Sequence, residues 1–448
     1  MTKKHSVLLK EEKCEGCTNC VKGCPTKAIR VHQGKAWIKE DLCIDCAECI
    51  RACEYHAKFT KPDELSEVLK ADYPVLLIPP SFYGQFSAQI PAAKIKKAIK
   101  SLGFKAVFDV ADAAAALSRK TLDFLNNNSG SYISTSCPVI VRLIKLQFPD
   151  LIEMLIPLKS PVELIAEKLE RKFFDEKNIE PEIFFLTPCP AKLTTVKRAI
   201  GQKSSFLSGA IGVENVYQKI YEALENFEED FETKVEDNNL ITLASIWGKE
   251  GGEESILKSW QDINTLSVSG LKQVKKLLNE IERNNIPEEI RYFELTSCID
   301  GCIGGVLNVI NPFQAGFNLE QRIKNIKKIS RKFDLESKQK EDEFYNFSLP
   351  EKITADNVSK LDENFKKAMQ KLEQLQKEIE ILPGLDCAAC GAPDCKTFAE
   401  DVINGRASRT DCIFMLRKQL GRLADDLSVL AHELPPVMST EKEDENDS

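Results

Sequence analysis

Short apolar runs alternate with longer amphipathic stretches through the middle of the chain. Apolar residues three and four positions apart predict helices in AAKIKKAIKSLGF (92–104) and SGLKQVKKLLNEIERN (269–284). Runs rich in β-branched and aromatic residues predict six strands: PVLLIPP (74–80), KAVFDV (105–110), GSYISTSC (130–137), EIFFLTPC (182–189), ITLASIWG (241–248) and RYFELTSC (291–298). Strands that alternate with helices predict an α/β fold, and three of these runs place a cysteine at a strand end.

The C-terminal part of the chain has a different pattern. NFKKAMQKLEQLQKEIE (364–380) predicts one charged amphipathic helix, which is broken by LPGLDCAACGAPDC. IFMLRKQLGRLADDLSVLAHEL (413–434) predicts another helix, whose apolar stripe is expected to pack on the body of the protein or on a partner. The acidic end TEKEDENDS is expected to be disordered.

Charge and composition narrow the classes of function. The chain has 448 residues and a net charge of -8, which argues against nucleic acid or an anionic membrane as the principal partner. No apolar run approaches the roughly 18 residues that a membrane helix requires, and no signal peptide opens the sequence. We therefore expect a soluble, cytoplasmic protein without a membrane partner.

Cysteine is unusually frequent, with 16 cysteines against four histidines. The cytosol keeps thiols reduced and a chain of this length needs no disulfides, so we expect the cysteines to bind metal. Because histidines are few, the metal sites must be almost entirely thiolate. This ligand set selects zinc or iron-sulfur clusters.

The first eight cysteines form two runs of the pattern C-x2-C-x2-C-x3-C, and Pro25 follows the first run. Two-cluster bacterial ferredoxins have this spacing, and the fourth cysteine of each run binds the other cluster. Zinc knuckles are the alternative, but zinc sites usually have two C-x2-C pairs separated by a longer loop. We predict two [4Fe-4S] clusters with these ligand sets: Cys14, Cys17, Cys20 and Cys53 for one, and Cys43, Cys46, Cys49 and Cys24 for the other.

A third cysteine group near the C-terminus has the pattern C-x2-C-x4-C-x16-C: Cys387, Cys390, Cys395 and Cys412. Small residues between them allow the backbone to wrap closely around a cubane. The segment resembles the small four-cysteine iron-sulfur domain of corrinoid iron-sulfur proteins, and zinc remains the alternative. The cysteines that remain are scattered along the middle of the chain and suffice for one more cubane: Cys137, Cys189, Cys298 and Cys302.

The motifs around these scattered cysteines resemble the three active-site signatures of the [FeFe]-hydrogenase large domain: TSCP (135–138), TPCPAK (187–192) and TSCIDGCIGG (296–305). The resemblance covers roughly residues 1–330. It implies a two-lobed α/β domain in which the four cysteines hold a [4Fe-4S] subcluster, bridged to a two-iron unit with CO, cyanide and azadithiolate ligands. It also implies that Cys302 is the bridge, and that Lys192 and the pair Pro80-Ser81 hold the two cyanides.

Several positions depart from the most active members of this family. Ser136 stands where they have a cysteine that passes protons, and a serine hydroxyl is a poor proton donor or acceptor because its pKa lies far above that of a thiol. GGVLNV replaces the ending GGGQP. Three other relay positions and two methionine positions also differ: Ser118, Thr121 and Ile156, and Thr187 and Thr296. These departures predict slow turnover.

The sequence therefore predicts a chain of several domains. A ferredoxin-like α+β domain is followed by the α/β hydrogenase-like domain, a helical linker, a small, mostly helical iron-sulfur domain and an acidic tail. The predicted boundaries are 1–62, 70–335, 345–380, 381–432 and 433–448.

Two classes of function remain open. The first is a hydrogenase with three [4Fe-4S] clusters and an H-cluster, which acts slowly on H2 and protons, exchanges electrons with a ferredoxin or another redox or signalling protein, and senses H2 or redox state. The second is a non-catalytic iron-sulfur protein for electron transfer or cluster assembly, without the two-iron unit. A protein of the second class would keep the cysteines but lose Lys192 and the Pro80-Ser81 pair. A homodimer is left open.

The cysteine arithmetic makes a prediction about metal content. Protein reconstituted with iron and sulfide, but without the two-iron unit, should carry about sixteen iron atoms per chain, since four cubanes use sixteen thiolates. Elemental analysis checks this number. Zinc, or iron for only two cubanes, would contradict the ligand assignments.

Overall fold

The computed structural model describes residues 5–226, 243–329, 342–356 and 364–432. Its strands are, in chain order, β1 (Val7–Leu9), β2 (Ile29–His32), β3 (Lys35–Ile38), β4 (Lys58–Thr60), β5 (Pro74–Ile78), β6 (Ala106–Asp109), β7 (Tyr132–Ile133), β8 (Glu182–Thr187), β9 (Gly209–Gly212), β10 (Thr265–Ser269) and β11 (Tyr292–Thr296). The α-helices are α1 (Asn19–Lys22), α2 (Glu48–Arg51), α3 (Leu65–Val68), α4 (Ala92–Ser101), α5 (Val110–Asn127), α6 (Pro138–Gln147), α7 (Pro161–Lys177), α8 (Pro190–Lys197), α9 (Val213–Glu225), α10 (Gly252–Trp260), α11 (Leu271–Glu282), α12 (Pro312–Ile329), α13 (Phe365–Ile381), α14 (Cys395–Ile403) and α15 (Ile413–His432).

The chain divides into two compact units. The larger comprises Met1–Lys13 and Lys39–Val358, and the smaller comprises Cys14–Ile38 and Ser359–Ser448. The first half of the predicted ferredoxin-like domain thus groups with the C-terminal segment. The predicted domain boundaries stay predictions, and the predicted acidic tail lies outside the described residues.

A four-stranded parallel sheet with the order β6-β5-β8-β9 forms the first layer of the larger unit. Strand β5 is buried along its length, as a central parallel strand covered on both faces must be, and its sequence PVLLI carries no charge. Val75 and Leu77 face a core formed with α5 and α7, whereas Leu76 and Ile78 face a core formed with α4 and α9. The predicted α/β class is confirmed.

The second parallel sheet of this unit has the order β10-β11-β7 and packs against α6 and α11. Strand β7 leads into the segment that ends at Cys137, and β11 leads into Cys298. In the first sheet, β5 leads into Pro80 and its parallel neighbour β8 leads into Cys189. Each sheet therefore delivers site residues from the carboxyl ends of its strands, which is where open α/β sheets place their ligands.

One predicted strand is wrong. In ITLASIWG, the described residues form a 3₁₀ helix at Leu243–Gly248. Its apolar side chains, among them Ala244 and Trp247, pack on the alanine-rich face of α5. Gly248 explains the tight path, because a Cβ there would lie 2.6 Å from the backbone of Ser81. The apolar side chains of this run thus pack against a helix. Composition alone does not distinguish such a run from a strand.

The smaller unit joins the β2-β3 hairpin to the C-terminal helices. Arg30 on β2 forms a buried ion pair with Asp401 on α14, and the Val31 N–H donates to the Gly391 carbonyl at 2.9 Å. Gly391 has a φ of 80°, and a Cβ at that position would lie 1.9 Å from the Val31 carbonyl oxygen. Only glycine permits this approach of the hairpin to the cysteine-rich loop.

Helix α15 presents its apolar stripe to solvent. No residue of the helix is buried, and six of its apolar side chains are 42 to 65% exposed: Ile413, Leu416, Leu420, Leu423, Leu427 and Leu430. The prediction that this stripe packs on the body is therefore wrong within the described residues. Packing on a partner stays a prediction.

None of the helices that the structure describes has both the length and the apolar character required to cross a membrane.

Candidate metal centre

The four scattered cysteines converge on one cavity in the larger unit. The side chains of all four line this cavity: Cys137, Cys189, Cys298 and Cys302. They come from four separate places in the sequence, at the ends of β7, β8 and β11 and in the turn after β11. The structure thus brings together the ligand set that the sequence left scattered.

Two of these cysteines begin helices. Cys137 is the residue before α6 and Cys189 the residue before α8, and each is followed by a proline, which is well suited to the first helical position. The N-terminus of a helix carries partial positive charge that favours an anion such as a thiolate. The repeated Cys-Pro therefore places two sulfur atoms at favourable positions for metal ligation.

The glycines of the motif TSCIDGCIGG allow the other two cysteines to approach. Gly301 has a φ of 81°, and a Cβ there would lie 2.7 Å from the Glu250 nitrogen. A Cβ at Gly305 would lie 2.4 Å from the carbonyl oxygen of Pro188, next to Cys189. Side chains at these two positions would push the Cys302 turn away from the other ligands.

The cavity disfavours free thiolates. Burial raises the pKa of Cys137 to about 11, and burial together with the charge of the neighbouring cysteines raises the pKa of Cys189 to about 12. Cations bound between crowded sulfur atoms favour the thiolate form. The donor set therefore fits a metal cluster.

A buried cation and a buried hydroxyl extend the site beyond the sulfur atoms. Lys192 Nζ lies 3.9 Å from Cys302 Sγ. Burial lowers the pKa of Lys192, but the charges of Cys302 and the other cysteines outweigh this effect, and the pKa is raised overall. Ser81 is fully buried at the cavity, and its hydroxyl has no hydrogen-bond partner among the described residues. A bound group with acceptor atoms would satisfy both donors.

Most of the other predicted site residues also line the cavity, namely Pro80, Ser136 and Thr296. Thr187 does not. Its hydroxyl donates to the Cys189 carbonyl at 3.2 Å and accepts from the Cys189 N–H at 3.1 Å, so it fixes the backbone at that ligand. The roles that the resemblance assigns to these residues stay predictions.

A carboxyl group that sequence reasoning missed, that of Glu253, lines the cavity together with Ser136. The hydroxyls of Ser136 and Ser134 lie 3.1 Å apart, and Ser134 donates to Glu253 Oε2 at 2.7 Å. Tyr292 donates to the same oxygen at 2.5 Å. Burial raises the pKa of Glu253, although hydrogen bonds from Tyr292, Ser134 and Ser136 act in the opposite direction. A proton-holding group is thus connected to the cavity.

The positions where the resemblance places the family's relay groups carry no acid. Ser118 donates to the Ala114 carbonyl at 3.0 Å and accepts from Trp247 Nε1 at 3.1 Å, and Ile156 is part of the apolar core. Glu253 comes instead from the first turn of α10, in the segment GGEES, where no local pattern distinguishes it. A feature of the sequence that could have pointed to this region is Glu294, a carboxyl group inside the buried strand β11. Burial and the charge of Glu253 raise the pKa of Glu294 well above its usual value.

The two N-terminal cysteine runs fold alike, each within its own unit. Thr18 before α1 and Ala47 before α2 have φ values of 64° and 66°. The Ala28 N–H donates to Cys24 Sγ at 3.2 Å, and the Ala57 N–H donates to Cys53 Sγ at 3.3 Å. Backbone donors to ligand sulfurs are typical of iron-sulfur sites. The repeated spacing is thus matched by a repeated local geometry.

Three of the four C-terminal cysteines belong to one small core of the smaller unit, and the fourth, Cys387, is exposed. Cys412 is a buried member of this core, Cys390 and Cys395 pack against the core, and the Cys395 N–H donates to Asp386 at 2.8 Å. Burial raises the pKa of Cys390. Ala388 and Gly391, both with positive φ, turn the backbone between the cysteines. This arrangement is suited to a second, separate metal site.

Three protein families match parts of the chain. Residues 72–205 and 208–306 match the family described as "Iron only hydrogenase large subunit, C-terminal domain". Residues 13–57 match a 4Fe-4S dicluster domain, and residues 382–414 match an Fe-S cluster family. These two matches support iron-sulfur clusters, rather than zinc, at the N-terminal and C-terminal cysteines.

Solved structures with similarity to this chain include two hydrogenases. One, from a study of stepwise H-cluster assembly, is the [FeFe]-hydrogenase HydA(deltaEFG), at 15% identity and a TM-score of 0.43, with 65% of this chain and 97% of that chain covered. Another is a variant of [FeFe]-hydrogenase HydA1 from Chlamydomonas reinhardtii, at 15% identity and a TM-score of 0.43, with 66% and 98% covered. No curated protein matches the chain.

The raised pKa of Glu253 predicts a pH-dependent stability difference. A carboxyl group whose pKa is higher in the folded state favours folding while it is protonated, and this contribution is lost as pH rises from about 4.3, the value of an unperturbed Glu, through the raised folded value. Glu253→Gln removes the titration. Relative to wild type, the variant should therefore gain unfolding free energy as pH rises, by at most about 1.4 kcal/mol per pH unit.

Urea denaturation of both proteins from pH 5 to 9 measures this difference. The matched control is Glu254→Gln, because Glu254 is the neighbouring residue and forms an ion pair with Lys258 near the surface. A difference between wild type and Glu253→Gln that stays constant over the whole range would contradict the prediction.

Proposed function

Because the chain belongs to the family of the iron-only hydrogenase large subunit, C-terminal domain, we propose that it binds an H-cluster and slowly and reversibly oxidises H2 and reduces protons. The observation that carries the proposal is the convergence of four cysteines, a buried lysine and an unpartnered buried hydroxyl on one cavity. Zinc bound by four thiolates would not account for the buried Lys192 or for the unpartnered hydroxyl of Ser81. A larger group with acceptor atoms accounts for all of them.

Different residues of the cavity would bind different parts of the H-cluster. Four thiolates would hold the [4Fe-4S] subcluster, and Cys302, whose sulfur contacts Lys192, would bridge to the two-iron unit. Lys192 and Ser81, which both line the cavity, would donate hydrogen bonds to its diatomic ligands. When bound, the H-cluster would supply the iron at which H2 is split and the sites that take up its electrons.

Protons would move through hydroxyls to a carboxyl group. Ser136 and Glu253 both line the cavity, and Ser134 connects their side chains by hydrogen bonds. A serine can only relay a proton, because its own pKa is too high for it to hold or release charge near neutral pH. Glu253 is a carboxyl group that can accept and return a proton, and burial raises its pKa. Tyr292 orients the carboxyl group.

Slow turnover and a sensing role belong to the same proposal. The route from the cavity begins with two hydroxyls and no thiol, and Thr296 stands where active relatives are expected to have a methionine. The electrons would pass through the iron-sulfur clusters to a ferredoxin or to another redox or signalling protein. The alternative function is an iron-sulfur protein for electron transfer or assembly that lacks the two-iron unit.

Infrared spectroscopy of the matured protein separates these functions. Wild type should show bands of iron-bound CO and cyanide. Cys302→Ala should lose them, because the bridging thiolate is gone, and should retain the iron of the N-terminal and C-terminal clusters. Bands that persist in Cys302→Ala would contradict the choice of bridge. Their absence in wild type would favour the alternative function.

Proton delivery is tested by variants of the hydroxyl route. Glu253→Gln should lower H2 evolution about 10²–10⁴-fold, the contribution usual for a positioned acid or base, and should leave the infrared bands in place. Ser136→Cys should raise the rate modestly, because a thiol shares protons more readily than a hydroxyl. Film electrochemistry over pH 5 to 9 measures both, with Glu254→Gln as control. Wild-type activity in Glu253→Gln would show that protons take another route.

A further inference from the structure

Arg51 connects two of the cysteine groups in the larger unit. It is the last residue of α2, between the predicted cluster ligands Cys49 and Cys53. Its Nη2 donates to Cys298 Sγ at 3.4 Å and to the Gly304 carbonyl at 2.7 Å. A residue of the ferredoxin-like segment thus contacts a sulfur atom of the central site 247 residues further along the chain.

The other arm of the same guanidinium points back to its own segment. Nη1 donates to the Cys46 carbonyl at 3.4 Å and to Glu48 at 3.0 Å. The planar fork of arginine, with five donors, suits these separated acceptors, whereas the compact ammonium of lysine would not reach them all. The backbone of one cluster ligand and the sulfur of another are therefore joined through one side chain.

The ion pair with Glu48 does not explain this position. It is an i,i+3 pair whose two side chains are 31% and 35% exposed, and pairs of this kind contribute little to stability. The contacts to Cys298 and Gly304 bring the cation to the turn that carries Cys302. The contact of Arg51 with the sulfur atom of Cys298 therefore requires a functional explanation.

We propose that Arg51 is a positioning residue for electron exchange, which raises the reduction potential of the cluster at the four scattered cysteines through its charged hydrogen bond to Cys298. A cation and an N–H donor at a ligand sulfur stabilise the reduced cluster, which carries one more negative charge, more than the oxidised cluster. Arginine keeps its charge throughout the accessible pH range. The interaction therefore favours the reduced state at every working pH.

The redox step is a one-electron transfer. One electron leaves the reduced cluster that uses Cys46 and enters the central cluster, or moves in the reverse direction when H2 is oxidised. No bond is formed or broken, and no proton moves. A higher potential at the central cluster makes the inward direction more favourable. The inference rests on the proposed cluster at the central cysteines, but not on hydrogen chemistry.

The test uses the full chain carrying its four cubanes but no two-iron unit. Redox titration followed by electron paramagnetic resonance gives the potential of each cluster, and Cys298→Ala identifies the central cluster by the signal that it lacks. Arg51→Gln should lower the reduced-to-oxidised ratio of that cluster about tenfold at a fixed potential, which corresponds to about 59 mV for one electron. Arg51→Lys should give a smaller shift, since it keeps the charge but not the fork.

Glu48→Gln is the matched control, because it removes the ion pair and leaves the contacts of Nη2 intact. It should not change the potential of the central cluster. An unchanged potential in Arg51→Gln with full iron content would overturn the inference. If Arg51→Gln binds less iron, the other two variants decide. An unchanged potential of the central cluster in fully loaded Arg51→Lys, together with a shifted potential in Glu48→Gln, would then overturn the inference. Absence of the central signal in wild type would contradict the proposed cluster itself.

Discussion

The crowding of four sulfur atoms in one buried cavity is the constraint on which the larger unit depends. Burial and mutual repulsion oppose the thiolate form, as the raised pKa values of Cys137 and Cys189 indicate, so the sulfur atoms can stay together as ligands only around cations. Two parallel sheets bring them there from the carboxyl ends of their strands. Glycines 301 and 305 then remove the side chains that would hold the last turn away.

Cysteine spacing and apolar runs were sufficient to predict much of this protein. The runs around β5 and β8 were recognisable because strands buried on both faces are nearly continuously apolar, and β11 was recognisable by its aromatic residues although it contains Glu294. The 3₁₀ helix at Leu243–Gly248 was not, because apolar side chains that pack on a helix have the same composition as those of a strand. Strand β10, TLSVS, is half-buried and mostly polar, so its pairing with β11 depends on tertiary structure.

The same limit applies to the site. Ligands follow from a motif, because metal chemistry fixes the residue type and often the spacing. Glu253 follows from no motif, since only the packing of α10 against the second sheet places it beside Ser134 and Tyr292. The acid at the cavity is thus supplied by α10, whereas the resemblance places the relay positions Ser118 and Thr121 on α5. Function at one place in space can be supplied from different places in a sequence.

The close contact between Gly391 and Val31 makes the C-terminal segment an integral part of the smaller unit. The β2-β3 hairpin lies in the first tenth of the chain, yet its buried arginine, Arg30, finds its counter-charge only at Asp401. A shortened protein that ended before α13 would leave that charge without its partner. For ribosomal synthesis this means that the first cysteine run is made long before the surface that completes its surroundings, so this unit can close only when translation is nearly finished.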